Sequence, residues 1–576
     1  MTANPIYPVR PVTDLKDMLE QSSRLFAEKD AFWIKSGNES YIAIKYQEFK
    51  NDVDALGTAF LSLGLKGGFI AVIGENRYEW CLTYLATVAG TGITVPLDKE
   101  LPASEVENLL IRSKARAVVF SGKHEKEMRQ ITAATTSVEY YINMDAAIDD
   151  QGFMSFGKLL DKGRELLQNG DRTFIDAQIN AEELSILLFT SGTTDLAKGV
   201  MLSHNNICWD IMAVSSIIYI DPNDTILSIL PIHHTYECTC GFLLMIYSGC
   251  RISYNEGLKH IGKNLKETSP TLLLAVPLIL EGMYKKIWEQ AAKKKGMTAK
   301  LKVALFISGV LFDTFKIDVR KKLFHQVHEN IGGKMRLVIS GAAAIEPRVS
   351  KGFRALGIHV LQGYGLTECS PIVTGNMEKH FRDDSIGLLL PGMEARIDNP
   401  NSDGIGELVV KGGNVMLGYF GNILATEKVL KDGWFSTGDL CRMDASGFYY
   451  ITGRKKNVIV TKNGKNIYPE EVEAYLNKSD FIQESLVWGK LDEESEETFV
   501  YAQIVPAMDL IQEKLGKQDI SQDELYKIID MEIKAANKNM PLYKRIRRFT
   551  VREEEFAKTS TKKIKRYIEK NRAVRI

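Results

Sequence analysis

Short apolar, β-rich runs alternate with amphipathic stretches through most of the chain. Phe69–Ile73, Ile186–Phe189, Thr225–Leu230, Leu272–Val276 and Arg336–Ile339 read as buried strands. Between them, Asn205–Ile218 and Ile345–Leu356 carry apolar residues at helical spacing. Pro347, near the start of the second, suits a first helical turn, where its missing N–H forfeits no hydrogen bond. Strands and helices in this order predict an α/β fold of layered, mostly parallel sheets. After about Gly404 the pattern changes. Glu407–Lys411, Phe448–Ile451 and Val458–Val460 are short strands separated by Gly-rich turns, which predicts a β-rich subdomain. The compact charged stretch Thr452–Asn457 (TGRKKN) follows, then a helix over Pro469–Leu476 and a mixed α+β C-terminal region. These shifts divide the chain into a large domain over 1–453, a junction at 454–457 and a small domain over 458–576.

The length of 576 residues supports this division, since single cores stop growing at roughly 250–300 residues. Lys+Arg and Asp+Glu both number 73, so no global charge draws the chain to nucleic acid. The apolar runs Gly241–Tyr247 and Thr271–Leu280 fall short of the ~18 residues that argue a membrane span. No apolar signal segment opens the sequence. Its seven cysteines, odd in number and scattered, point to a reducing compartment, with the cytoplasm as the default. Charge is concentrated in the tail Pro541–Ile576, with 13 Lys/Arg against 4 Glu. Such a tail is either a solvated face or a surface for a polyanionic cosubstrate or an acidic bilayer.

The chemistry concentrates in a few segments. Thr190–Val200 (TSGTTDLAKGV) follows an apolar strand and gathers Thr190, Ser191, Thr193 and Thr194 around Gly192, with Lys198 adding a cation. Hydroxyls and amides in a concave turn replace the hydration of phosphate oxygens. The GxxxxGK[ST] pattern is absent from it, and the near misses Gly152–Lys158 and Gly257–Lys263 lack the closing hydroxyl residue. In Ser340–Ala344 (SGAAA), the small residues Gly341, Ala342 and Ala343 let a planar base lie against the backbone. In Gln362–Ser370 (QGYGLTECS), after Gln362 and Gly363, Tyr364 can stack on a purine and Thr367 can donate to a phosphate oxygen. Glu368 is a hard oxygen ligand suited to Mg²⁺. Gly433–Leu440 (GWFSTGDL) brings Asp439, a carboxylate able to accept two ribose hydroxyls. Cys238/Cys240 and His325/His328 lack the partners of a metal site and read as structural.

In this order the segments resemble those of the acyl-adenylate-forming (AMP-binding) superfamily, which includes acyl-CoA synthetases, peptide-synthetase adenylation domains and firefly luciferases. That family usually has Gly where this chain has Asp195 and Pro where it has Ala197. The resemblance implies that Gln362–Ser370 binds adenine and magnesium. It places Arg454 on the ribose with Asp439, and Lys456 at the hinge about which a mobile C-terminal lid swings. Asn463–Val472 (NGKNIYPEEV) matches the segment facing coenzyme A, where Gly464 lets pantetheine pass. Ala557–Arg566 (AKTSTKKIKR) aligns Lys563 with the catalytic lysine, with Ala557 and Lys562 in place of the usual Pro and Gly.

Leu230–Glu237 (LPIHHTYE) looks like the family's Leu-Pro-x-x-His motif, and most like its long-chain fatty acid branch. His234 then falls near the acyl carboxylate, and His233 packs. The apolar Cys240–Ser248 is a candidate lining of an acyl tunnel. The implied reaction is ATP-dependent activation of a carboxylic acid as acyl-AMP, followed by transfer to coenzyme A, with Mg²⁺ required. The implied partners are a fatty acid and coenzyme A; peripheral membrane contact, suggested by the basic stretch Lys285–Lys302, and the oligomeric state stay open. The alternatives are another acid (aromatic or medium-chain), a carrier-protein thiol as acceptor, or a non-catalytic nucleotide-binding homologue.

Overall fold

A computed structural model describes residues 2–37, 40–150, 152–190, 197–460, 465–491, 498–559, 563–566 and 568–569. Two large sheets organise the first 420 residues. One has eight strands in the order Gly418–Tyr419, Lys198–Ser203, Leu184–Thr190, Ile93–Leu97, Phe69–Ile73, Ala115–Phe120, Tyr140–Asn143, Phe153–Ser155. Its pairings are parallel except at the Lys198–Ser203 and Gly418–Tyr419 edge. The other has nine, in the order Leu388–Leu389, Ile372–Gly375, His359–Gly365, Leu337–Ser340, Leu272–Ala275, Thr225–Ser228, Arg251–Tyr254, Asp30–Ser36, Ser40–Lys45. It too is parallel inside and antiparallel at both edges. The predicted layered α/β fold is therefore what forms.

The two sheets share one core. Ile70 and Val72 of the first and Ile226, Ile252 and Leu272 of the second belong to the same buried cluster. The helices Tyr46–Ser62 and Tyr78–Val88 add Phe49, Phe60, Trp80 and Tyr84 to it. Strands apolar on successive positions, as in Ala115–Phe120, are those covered on both faces.

The strand expected over Thr225–Leu230 stops at Ser228. Asn76 Nδ2 takes over there, donating to Ser228 Oγ at 2.7 Å and to the Leu230 carbonyl at 2.6 Å. The helix expected over Asn205–Ile218 runs from His204 to Ser215, behind a Ser203 capping box. Pro347 opens the helix Pro347–Ala355.

The β-rich unit expected after about Gly404 begins earlier, at Glu394, as an antiparallel sheet built on Glu394–Asp398, Gly406–Lys411, Trp434–Met443 and Tyr449–Arg454. After Arg454 a short 3₁₀ turn, Lys455–Asn457, leads into the hairpin Ile459–Val460/Asn466–Ile467. The sheet Ile482–Leu491, Thr498–Pro506, Ile546–Val551 follows, with the helices Pro469–Leu476 and Gln522–Lys538. This last region has a separate core around Val472, Val487, Ala502, Ile504 and Ile529.

Candidate active site

In both sheets the carboxyl ends of parallel strands, where open α/β sheets bind ligands, deliver the predicted residues. Thr190 closes the strand Leu184–Thr190 and faces Lys198 across the antiparallel partner, with Thr190 Oγ1 donating to the Lys198 carbonyl at 3.4 Å. Ser191, Gly192, Thr193, Thr194 and Asp195 lie outside the described residues. The Lys198 ammonium stands 4.6 Å from the ring centroid of Tyr419, whose hydroxyl donates to Glu368 Oε1 at 2.9 Å. Tyr419 thus ties the strand that opens at Lys198 to the Thr367–Cys369 turn that carries Thr367 and Glu368. No motif marked Tyr419. Its position follows from the two-residue strand pairing Tyr419 with Val200.

Neighbouring strand ends place Gly341–Ala343 beside Gln362–Tyr364, since Ser340 pairs with Gln362. Gly341 has no room for a side chain, because a Cβ there would come 2.8 Å from the Tyr236 ring. Ala342 sits at φ +70°, a left-handed conformation that costs a non-glycine residue roughly 1 kcal/mol. The Gln362 amide is committed to the fold: its Oε1 accepts from Ile345 N at 2.8 Å and its Nε2 donates to the Ser385 carbonyl at 3.2 Å. Gln362 is therefore a positioning residue for the SGAAA turn, beside a Gly363 backbone that is half-buried.

Tyr364, Asp439 and Arg454 form a connected group. The Tyr364 hydroxyl donates to Asp439 Oδ2 at 2.6 Å, and Arg454 Nε lies 2.5 Å from Asp439 Oδ1. The strands carrying Asp439 and Arg454 pair these two residues directly. Asp439 is only 4% exposed. Desolvation raises its pKa, opposed by Arg454 and the Tyr364 bond.

From the tail, Lys563 acts through its charge on Asp439. A turn closed by Thr559 N donating to the Lys563 carbonyl (2.8 Å) and Lys563 N donating to Thr559 Oγ1 (3.1 Å) holds it. Although Lys563 as a residue keeps exposed surface, desolvation of its ammonium and the nearby Arg454 lower its pKa, with Asp439 opposing. Lys456 is lowered to about 8 by desolvation, then by Arg454, with Lys198 and Arg566 adding to the fall. Five cations from three stretches of sequence, Lys198, Arg454 with Lys456, and Lys563 with Arg566, are thus linked by their charges. Lys562 and Gly464 lie outside the described residues.

The Lys563 charge also acts on His234, whose pKa is driven well down by desolvation, then by His233, with Asp98 opposing. The His233 ring, buried and 4.1 Å from that of His234, has Nε2 3.5 Å from Asp98 Oδ2. Burial holds His233 neutral, with a pKa near 3. One ligand atom each from Asp98, His233 and His234 lies within 4.8 Å of the others, a cluster that sequence spacing does not reveal. Cys238 and Cys240 are buried free thiols. His325 lies 3.1 Å from Glu329, and His328 Nε2 is 2.8 Å from the Leu356 carbonyl.

A narrow apolar cavity adjoins the site. Ile217, Ile218, Met245, Leu272 and Leu337 line it, together with Gln362 and Gly363. Cys240, Leu244 and Met245 of the expected tunnel helix are on its wall. Tyr236 borders both the cavity and Gly341, its hydroxyl donating to the Ile339 carbonyl at 2.9 Å.

The site is thus a cationic focus with a buried carboxylate, a neutral histidine pair and an apolar annex, suited to a nucleotide beside an acid with a hydrocarbon portion. The family comparisons agree with its nucleotide half. Residues 19–420 match the AMP-binding enzyme model and residues 456–573 match the AMP-binding enzyme C-terminal domain. The chain belongs to the AMP-binding enzyme family. It is 26% identical over 534 residues to the long-chain-fatty-acid–CoA ligase 1 of Cavia porcellus, covering 87% of this chain and 75% of that protein. It is 26% identical over 552 residues to the long-chain-fatty-acid–CoA ligase FadD15 of Mycobacterium bovis, covering 90% and 89%. Its fold superposes on the crystal structure of the anthranilate CoA ligase AuaEII with anthranoyl-AMP at a TM-score of 0.77, with 20% identity and 99% of each chain covered.

Proposed function

We propose that this enzyme is an AMP-forming acid–coenzyme A ligase whose acid is a long-chain fatty acid. The observation that carries the reading is the bonded group Tyr364, Asp439 and Arg454, next in sequence to the Gln362 and Gly363 that line an apolar cavity, with the Lys563 charge acting on both Asp439 and His234. The relatives named for long-chain fatty acids support the choice of acid.

In the first step a carboxylate oxygen attacks the α-phosphorus of ATP, the bond to the bridging oxygen breaks, and pyrophosphate leaves with its electron pair. Two anions meet in that step, so the protein's task is positioning and charge neutralisation. Asp439 and Arg454 hold the ribose. Thr190, Lys198 and Thr367 with the loop Ser191–Thr194 receive phosphate oxygens. Lys563 faces the charge that builds during transfer, and neutral His234 orients the carboxylate. Mg²⁺ fits Glu368, since that ion binds through one or two carboxylates together with substrate phosphates; it would supply charge neutralisation there. In the second step the coenzyme A thiol attacks the acyl carbon and AMP departs. Residues 454–457 serve as the hinge for the lid 458–576 between the two steps, and Gly464 faces the pantetheine path.

A panel of acids in ATP–pyrophosphate exchange tests the proposal. Saturated acids of long chain are expected to give the highest kcat/KM, with roughly tenfold or greater losses for aromatic and short acids, because each buried methylene contributes ~0.8 kcal/mol. A preference for an aromatic acid overturns the fatty acid assignment.

A further inference from the structure

Apolar faces of surface helices ordinarily point to the core. The helix Met297–Phe315 does the reverse. Val303, Phe306, Ile307 and Val310 are 56%, 73%, 48% and 42% exposed. Their spacing of i, i+3, i+4 and i+7 sets them in one stripe along the helix. Phe315 at its end, and Ile317 and Leu323 beyond it, are also exposed. Contiguous patches of this kind on a soluble surface mark a site of interaction.

The charges around the stripe identify the partner. Between residues 285 and 322 the sequence has eleven Lys/Arg against three Asp/Glu, in a chain whose net charge is +0. Lys293, Lys294 and Lys295 precede the helix and are exposed, as are Lys300 and Lys302 in its first turns. Lys321 and Lys322 lie exposed past its other end. No acidic residue occupies the first turn, so these cations oppose the helix dipole. Their placement is unfavourable within the chain and favourable against an anionic surface. Interfaces between proteins are depleted in lysine, whereas lysines flanking an apolar stripe suit a helix lying in the headgroup region, with stems in hydrocarbon and ammonium groups at phosphates. Among the described residues no helix is long and apolar enough to cross a membrane.

We propose that the stripe of Met297–Phe315 and its flanking lysines form a docking surface for an anionic lipid bilayer, with the helix in the plane of the membrane. The proposal stands apart from the identity of the activated acid, because its test reads vesicle binding. The full chain is floated with phosphatidylcholine vesicles, with and without phosphatidylglycerol, at low and high salt. Binding is expected with the anionic vesicles and to weaken with salt. Replacing Lys293, Lys294 and Lys295 with Gln should reduce partitioning roughly 100-fold, and these exposed positions carry no packing. The pair Phe306→Ser and Val310→Ser should reduce it at least tenfold while leaving ATP–pyrophosphate exchange unchanged. Absence of binding to anionic vesicles overturns the proposal, as does binding that both variants retain. So does sedimentation showing the parent as a dimer that Phe306→Ser and Val310→Ser dissociate, which would assign the stripe to a second copy of the chain.

Discussion

Changing Tyr364 to Phe removes one oxygen from the site and leaves the ring in place. The Asp439 carboxylate, 4% exposed, then loses its 2.6 Å donor and, among the described residues, keeps Arg454. A hydrogen bond to a charged group contributes about 1.5–3 kcal/mol, equivalent to roughly 10- to 150-fold in an equilibrium constant. If Asp439 holds the ribose, the loss falls on the KM for ATP in pyrophosphate exchange at saturating acid, with a smaller change in kcat. A second signature follows from desolvation, which already raises the Asp439 pKa while the Tyr364 bond restrains it. Without that bond the pKa rises further, so the variant should lose ATP affinity at a higher pH than the parent as pH falls. An ATP KM within threefold of the parent, with the same acid limb, refutes the reasoning. A lowered melting temperature with unchanged KM would show that the contact serves only the fold.

Lys563→Ala should abolish acyl-AMP formation while thioester formation from supplied acyl-AMP persists; loss of both half-reactions argues against the role given to it. Glu237, 1% exposed with Ser228 Oγ donating to Oε1 at 2.6 Å, is pushed by desolvation from 4.5 to about 8. The stability this protonated carboxyl brings is complete below about pH 4.5 and is lost as pH rises through about 8. Glu237→Gln should therefore raise the melting temperature at pH 8.5 more than at pH 5.5, and parallel melting curves across that range contradict the assignment.

The strands were legible because they are apolar on consecutive positions between turn residues, as in Phe69–Ile73, and the helix Pro469–Leu476 formed over the residues expected. The helix Met297–Phe315 escaped the same reading. Its run from Val303 to Phe312 is apolar on most sides and its outer stripe is apolar too, so it lacks the polar face that periodicity looks for; only its lysines registered. The motif residues stood out by their order along the chain, and of them the structure joins Tyr364, Asp439 and Arg454. Tyr419 and Asp98 did not stand out. Each acts through a contact between residues far apart in sequence, Tyr419 with Glu368 and Asp98 with His233, and neither lies in a segment with a spacing of its own.

The charge balance explains why so many cations meet at this point. Desolvation lowers the pKa of Lys456 and of Lys563, and like charges add to the fall: Arg454 for both, and Lys198 for Lys456. Asp439 opposes them, but it is engaged by Tyr364 and Arg454. A fold does not gain by crowding like charges around a partly desolvated space. Such an arrangement would be stabilised by a polyanion. On the proposed function, a nucleotide triphosphate would relieve the repulsion, and because Lys563 and Lys456 both lie C-terminal to Arg454, that relief would also favour closure of the C-terminal region. Loss of pyrophosphate would remove most of the anion and restore the repulsion, so the same cations would favour reopening before the second half-reaction.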